Sequence, residues 1–199
     1  DYDSTAQMIL ADLPIGGVTR KVIMQAPKNG FFYVLDRLTG ELISAAPFTK
    51  VSWARGIDPK TGRPIINPEA RYGTAPVTVA PSGGGAHTWT PMSFDPSTGL
   101  VYFTASLGGT FVYARNEKFE FTPGVMNLGV RLGRGRGTPA PEPGPAPPMT
   151  GPDGQGPHLV AWDPIAQTTR WKQTGGGGGG TLATAGGLVF QSLGDGRLV

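Results

Sequence analysis

The chain of 199 residues is long enough for one domain or two small ones. Its 32 glycines and 20 prolines make up about a quarter of it, near the composition of disordered sequence, but the excess gathers between Gly108 and Pro157 and at Gly175–Gly180. A formal charge of +3, much of it from Arg131, Arg134 and Arg136 on one glycine-rich stretch, gives no broad polyanion-binding face, and the lack of cysteine excludes disulfide frameworks and thiolate metal sites.

Helical periodicity is nearly absent. Ser4–Leu13 reads equally well as a helix or a strand, with Met8, Ile9 and Leu13 apolar and Pro14 closing it. From Lys21 the pattern is β: Val22–Gln25, the turn Pro27-Lys28-Asn29-Gly30, then Phe31–Leu35, a second turn, and Glu41–Ser44. Further strands are predicted at Met92–Phe94, Leu100–Phe103, Leu159–Trp162, Arg170–Trp171, Leu188–Gln191 and Arg197–Val199. The stretch from Gly124 to Pro157 has too little apolar surface to offset its ordering entropy and is predicted to be a long flexible loop, 124–157. No run approaches the roughly 20 apolar residues of a membrane helix, so no membrane span is expected. Without an initiator methionine or a signal segment, the chain is expected to be a piece of a longer protein.

A repeat organises these strands. Asp36-x-x-Thr39-Gly40, Asp58-x-x-Thr61-Gly62 and Asp95-x-x-Thr98-Gly99 share one spacing, and Asp163-Pro164-Ile165-Ala166-Gln167 is a degenerate copy. In a tight hairpin the aspartate caps backbone N–H groups and the glycine supplies the positive φ that reverses the chain. Short strands joined in this way suit the four-stranded blades of a β-propeller, although a β-sandwich uses the same signals.

Most other chemistry finds little support. His87 and His158 stand alone without metal-ligand spacing and are expected to be structural or exposed. Asp1 and Asp3 lie two apart, which on a strand is a polar edge. No nucleophile motif, P-loop or dinucleotide fingerprint occurs. The Arg131–Gly137 tract has no interleaved aromatics, so no nucleic-acid partner is expected.

Four strings carry a resemblance: Asp1-Tyr2-Asp3-Ser4-Thr5, Gln25–Arg37, Pro91–Pro96 and Gly180–Gly186. They resemble the PQQ-dependent (pyrroloquinoline quinone) alcohol dehydrogenases, relatives of methanol dehydrogenase. The resemblance implies an all-β fold, a partial eight-bladed β-propeller of about three to four blades with a long Gly/Pro-rich insert, in one incomplete domain over 1–199. It implies PQQ and Ca²⁺ as cofactors, a small alcohol as substrate, an electron acceptor such as a cytochrome c, and a periplasmic location. Asp1 becomes the general base and a Ca²⁺ ligand. Lys28 becomes a quinone contact, where its other reading is a solvated turn lysine. Thr88 stands where the family has asparagine, and the adjacent Trp89 lines the cofactor or belongs to the core. Gly177 and Gly178 replace a tryptophan and an asparagine, which leaves a flexible stretch without an apolar wall. The chain is thus expected to be a C-terminal-half fragment of a dehydrogenase, inactive alone, because one carboxylate cannot make a Ca²⁺ site. A non-catalytic propeller scaffold is the alternative.

Overall fold

The computed structural model describes residues 2–73, 75–125, 127–131, 142–144, 146–175 and 177–199. Strands β1 (Ile9–Ile15), β2 (Val18–Gln25), β3 (Phe31–Asp36) and β4 (Leu42–Pro47) form an antiparallel meander in chain order. Of the ambiguous segment Ser4–Leu13, Ile9–Leu13 is strand and residues 4–8 are irregular, and the strand continues through Pro14, the residue expected to close it, to Ile15. Gly16 and Gly17, with φ of 62° and 80°, close a two-residue turn of the type that suits the strand twist, and the ladder runs from Ile15↔Val18 to Ile9↔Met24.

Strands β5 (Ala54–Ile57) and β6 (Pro64–Ile66) make a separate two-stranded sheet, followed by a 3₁₀ turn at Pro68–Ala70. Next come β7 (Val77–Val79), β8 (Ser93–Asp95), β9 (Leu100–Leu107), β10 (Phe111–Arg115), β11 (Val130–Arg131), β12 (Gly156–Asp163) and β13 (Thr168–Thr174). The second four-stranded sheet has the order β13-β12-β9-β8, and β10 sits between β7 and β11 in a third. A final hairpin joins β14 (Gly178–Ala183) to β15 (Val189–Leu193). Among the described residues there are thus two four-stranded sheets, one three-stranded sheet and two two-stranded hairpins, and the Asp58 turn closes one of those hairpins.

The repeated turns behave as their chemistry requires. Asp36 Oδ1 accepts from the amides of Leu38 and Thr39 at 2.8 and 3.1 Å, while Gly40 (φ 77°) donates to the Asp36 carbonyl at 2.8 Å. Asp58 and Asp95 repeat this with Gly62 and Gly99 at positive φ. In the degenerate copy Asp163 still accepts from Ile165 and Ala166, and Gln167 takes the left-handed position at φ 54°.

The core lies between the two four-stranded sheets. Alternation in β2 and β3 turns Val22, Met24, Phe32 and Val34 inward, where they meet Val101, Phe103, Val160 and Trp162. Phe32 stacks on Trp162 at 5.5 Å, and Phe48 meets Phe103 edge-on at 5.1 Å. The opposite face of β3 packs Phe31 with Val51, Ala54 and Trp53, so β3 is buried on both sides.

One stretch departs from its sequence reading, and a second makes defined contacts. The glycines 178–180 lie within β14, because Gly179 and Gly180 press so closely on Ser192 and Pro91 that a side chain would collide. Within 124–157, Thr150 bridges Val51 in both directions at 2.8 and 2.9 Å, and Gly144 accepts from the Thr78 hydroxyl at 3.0 Å.

Candidate functional site

The turn between β2 and β3 presents Lys28. Gly30 (φ 91°) is required there twice over: its backbone is left-handed, and a Cβ would lie 2.8 Å from Val51 Cγ2. Asn29 ties the turn down, accepting from the Phe31 amide through its side chain at 3.0 Å and from Trp53 Nε1 through its carbonyl at 2.9 Å. The Lys28 side chain is only 20% exposed, and its ammonium donates to Asp3 Oδ1 at 2.7 Å. That hydrogen bond holds the Asp3 carboxyl below its ordinary pKa. Lys28 is thus a partly buried turn lysine, ion-paired to an exposed aspartate.

The loop from Ser82 to Thr90 packs on this turn. Gly85 abuts the Lys28 stem so closely that a Cβ would overlap Lys28 Cγ, and the Ala86 amide donates to the Lys28 carbonyl at 3.0 Å. His87 is buried, with one ring nitrogen against the Ala26 carbonyl and the other 3.1 Å from that of Thr90. It pins the loop to the end of β2, a structural role as expected. His158 is likewise buried, against the Gly156 carbonyl and the Thr174 hydroxyl. The N-terminal segment joins the assembly through Tyr2, whose hydroxyl donates to the Pro81 carbonyl at 2.6 Å and whose ring lies 5.8 Å from that of Trp53. Burial, reinforced by Tyr113, pushes the Tyr2 hydroxyl pKa upward.

Beside this junction lies an open cleft of about 330 Å³ bounded by the Gly84–Thr90 loop, Ser106, Pro157, Gly177 and Gly178. Thr88, half-buried, and Trp89, 70% exposed, both line it. Trp89 is thus not the core tryptophan that its sequence context allowed. Gly177 and Gly178 line it as well, so Thr88, Trp89 and the glycine substitutions converge on one cleft, and Gly85, another of its lining residues, abuts the Lys28 stem. Asp1, the expected base and metal ligand, lies outside the described residues. Among the described residues no three His, Asp or Glu side chains gather to hold a metal. No described helix is long and apolar enough to cross a membrane.

The sequence reading missed the role of Asp3, taken there for a polar edge. A spacing of 25 residues from Lys28 leaves no local signal for the ion pair.

Residues 1–52 match a PQQ family profile described as the glucose/ethanol/alcohol dehydrogenase β-propeller domain. The chain is 46% identical over its whole length to the quinohemoprotein alcohol dehydrogenase of Comamonas testosteroni, of which it spans 27%. The structure of quinohemoprotein alcohol dehydrogenase ADHIIG from Pseudomonas putida HK5 superposes with a TM-score of 0.78 at 40% identity, covering 100% of this chain and 29% of that one. A europium-containing methanol dehydrogenase gives 0.75 at 28% identity, with 100% of this chain and 33% of that one covered.

Proposed function

We propose that this chain, which belongs to the PQQ-dependent alcohol dehydrogenase family and forms part of its β-propeller, supplies one wall of the quinone pocket in an enzyme that oxidises alcohols. The observation that carries the reading is the junction of the Lys28 turn with the Gly84–Thr90 loop, which packs the Lys28 stem and carbonyl against Gly85 and Ala86, two residues that also line the cleft with Trp89. Such a cleft fits a flat, polyanionic ring system. When bound, PQQ supplies the two-electron acceptor for the alcohol.

The chain's own residues then have distinct tasks. Lys28 Nζ binds an anionic oxygen of the ring system, exchanging or sharing its contact with Asp3. The Thr88 hydroxyl offers a shorter polar contact than an amide would. Trp89 provides an apolar wall, and His87 keeps the loop in register with the turn. Asp1, by its match to the family string, takes the alcohol proton on its carboxylate. Ca²⁺ belongs to the same reading, but the described residues do not by themselves assemble the six to eight oxygens it needs, so no step is assigned to it. A haem protein such as a cytochrome c as electron acceptor, and a periplasmic setting, complete the proposal. Its support is the family resemblance and, for the acceptor, the quinohemoprotein character of a relative. No observation favours the non-catalytic scaffold.

The test is PQQ titration of the whole protein, followed by quinone absorbance and dye-linked alcohol oxidation. Removing a charge-assisted hydrogen bond costs ~1.5–3 kcal/mol, so Lys28→Ala should weaken PQQ binding by about 10- to 100-fold. Asp1→Ala should abolish turnover while PQQ still binds. An unchanged PQQ affinity in the first variant, or full turnover in the second, removes the corresponding assignment. The 199 residues alone are expected to give no turnover with PQQ and Ca²⁺.

A further inference from the structure

A second cavity is bordered by Ser82, Gly83 and Gly84, and the cleft reading makes no use of it. Tyr72, just after the 3₁₀ turn, stacks on Tyr113 of β10 with centroids 5.5 Å apart and planes at 17°. Phe111, two residues earlier on the same strand, meets Tyr113 at 5.1 Å. Pairing of Phe111 with Val79 and of Tyr113 with Val77 fixes both rings on β10. Leu128 and Val130 extend the lining, Ser82 and Thr110 add hydroxyls to it, and the cavity of about 570 Å³ has no charged residue among its described lining. That volume lies in the range of small-molecule sites.

The loop joins this pocket to the proposed quinone cleft. Gly84 lines both cavities. Gly83 lies against the Tyr113 hydroxyl, where a Cβ would come within 2.5 Å of it, and Gly85 lies against Lys28. Two Cα steps separate Gly83 from Gly85, at most about 7.6 Å. A ring with one methylene spans a comparable distance. We infer that the Tyr72–Phe111–Tyr113 pocket receives the uncharged aryl body of the substrate alcohol, with its carbinol end directed over Gly84 toward the Lys28 side. The inference rests on the alcohol-oxidising reading and names its substrate class. Aromatic walls favour an aryl group over an alkyl one of similar size, and the uncharged lining disfavours a charged substituent.

Steady-state kinetics of the PQQ-loaded whole protein test this, with benzyl alcohol, cyclohexylmethanol and ethanol as substrates. Tyr72 is 43% exposed, so Tyr72→Ala should fold. It should lower the benzyl alcohol to ethanol ratio of kcat/KM by about tenfold, chiefly through KM for benzyl alcohol. The ratio for cyclohexylmethanol should fall less, and the milder Phe111→Leu should show the same order of effects. An unchanged benzyl alcohol ratio, or an equal fall for both ring substrates, overturns the proposal. Saturation-transfer NMR with benzyl alcohol separates this failure from that of the parent reading. A signal that Tyr72→Ala removes, in a protein that oxidises no alcohol, sinks the dehydrogenase reading and leaves the aryl site standing. A signal indifferent to Tyr72→Ala sinks the site.

Discussion

The sheet β1–β4 closes within Ile9–Pro47, each strand bonded to the one before it, whereas β9 and β12 of the second sheet are neighbours separated by residues 108–155. Despite that interruption they pair from Leu107↔Gly156 to Val101↔Trp162. Loop-closure entropy grows only slowly with length, so a long insertion is tolerated when strand pairing and burial are strong. The insertion is also tethered: Gly108 donates to Thr49 Oγ1 at 3.0 Å, and Thr150 bridges Val51. The continuous sheet supplies the Lys28 turn. The interruption supplies β10 and the aromatic pocket. Regular repetition therefore carries the fold here, and departures from it carry the candidate sites.

The largest expected effect comes from the interface that makes the two sheets one unit. Phe32 of the continuous sheet and Trp162 of the interrupted one are both fully buried and stacked on each other. Phe32→Ala and Trp162→Ala should each cost ~3–5 kcal/mol in urea unfolding. Because they share one contact, the double variant should cost less than the sum, by about 0.5–3 kcal/mol. Strict additivity would mean that the sheets are stabilised independently, and the comparison between them would then lose its basis.

How legible this was in the sequence follows the same division. The Asp-x-x-Thr-Gly spacing marked the turns because the aspartate cap and the positive-φ glycine are local requirements, read from five residues. The apolar runs beside Asp36, Asp95 and Asp163 marked their strands. Strands β5, β6, β7, β10 and β11 were missed, since they are short and lie in or near Gly/Pro-rich sequence without alternation. The strand character of Gly178–Gly180 was hidden because it depends on the close approach of Ser192 and Pro91, which no local propensity encodes. Lys28, Thr88 and Trp89 were singled out by resemblance alone. The Asp3 partner and the Tyr72–Tyr113 stack arise from contacts across 25 and 41 positions, which only the fold brings together.

A smaller effect separates the loop that joins the two sheets from either sheet itself. Burial lowers the His87 pKa below its ordinary value of 6.5, outweighing the carbonyl contacts from Ala26 and Thr90, which favour the protonated ring. The unfolded chain then takes up a proton near pH 6.5 that the folded chain resists, so stability falls as the pH drops below that point. The urea midpoint of the native protein should decline between pH 7 and 5, and His87→Gln should remove that part of the decline. A slope identical in both proteins would show that His87 does not govern it.

The smallest effects compare the turns that close the last hairpin of each four-stranded sheet. Gly40 and Gln167 hold the same left-handed position, at φ 77° and 54°, after Asp36 and Asp163. A Cβ at Gly40 meets nothing within 4 Å, so Gly40→Ala isolates the backbone term and should cost about 1 kcal/mol. Gln167→Gly relieves the same strain at the other turn. It also frees the unfolded chain and removes the bond from Gln167 Nε2 to the Pro164 carbonyl, 2.8 Å long. These terms oppose one another, and the net change should stay within about 0.5 kcal/mol. Thermal unfolding of the two variants side by side resolves the difference. A large gain from Gln167→Gly would mean that the degenerate turn is strained beyond its neighbours, and that the interrupted sheet is held in register by its ladder against its own hairpin.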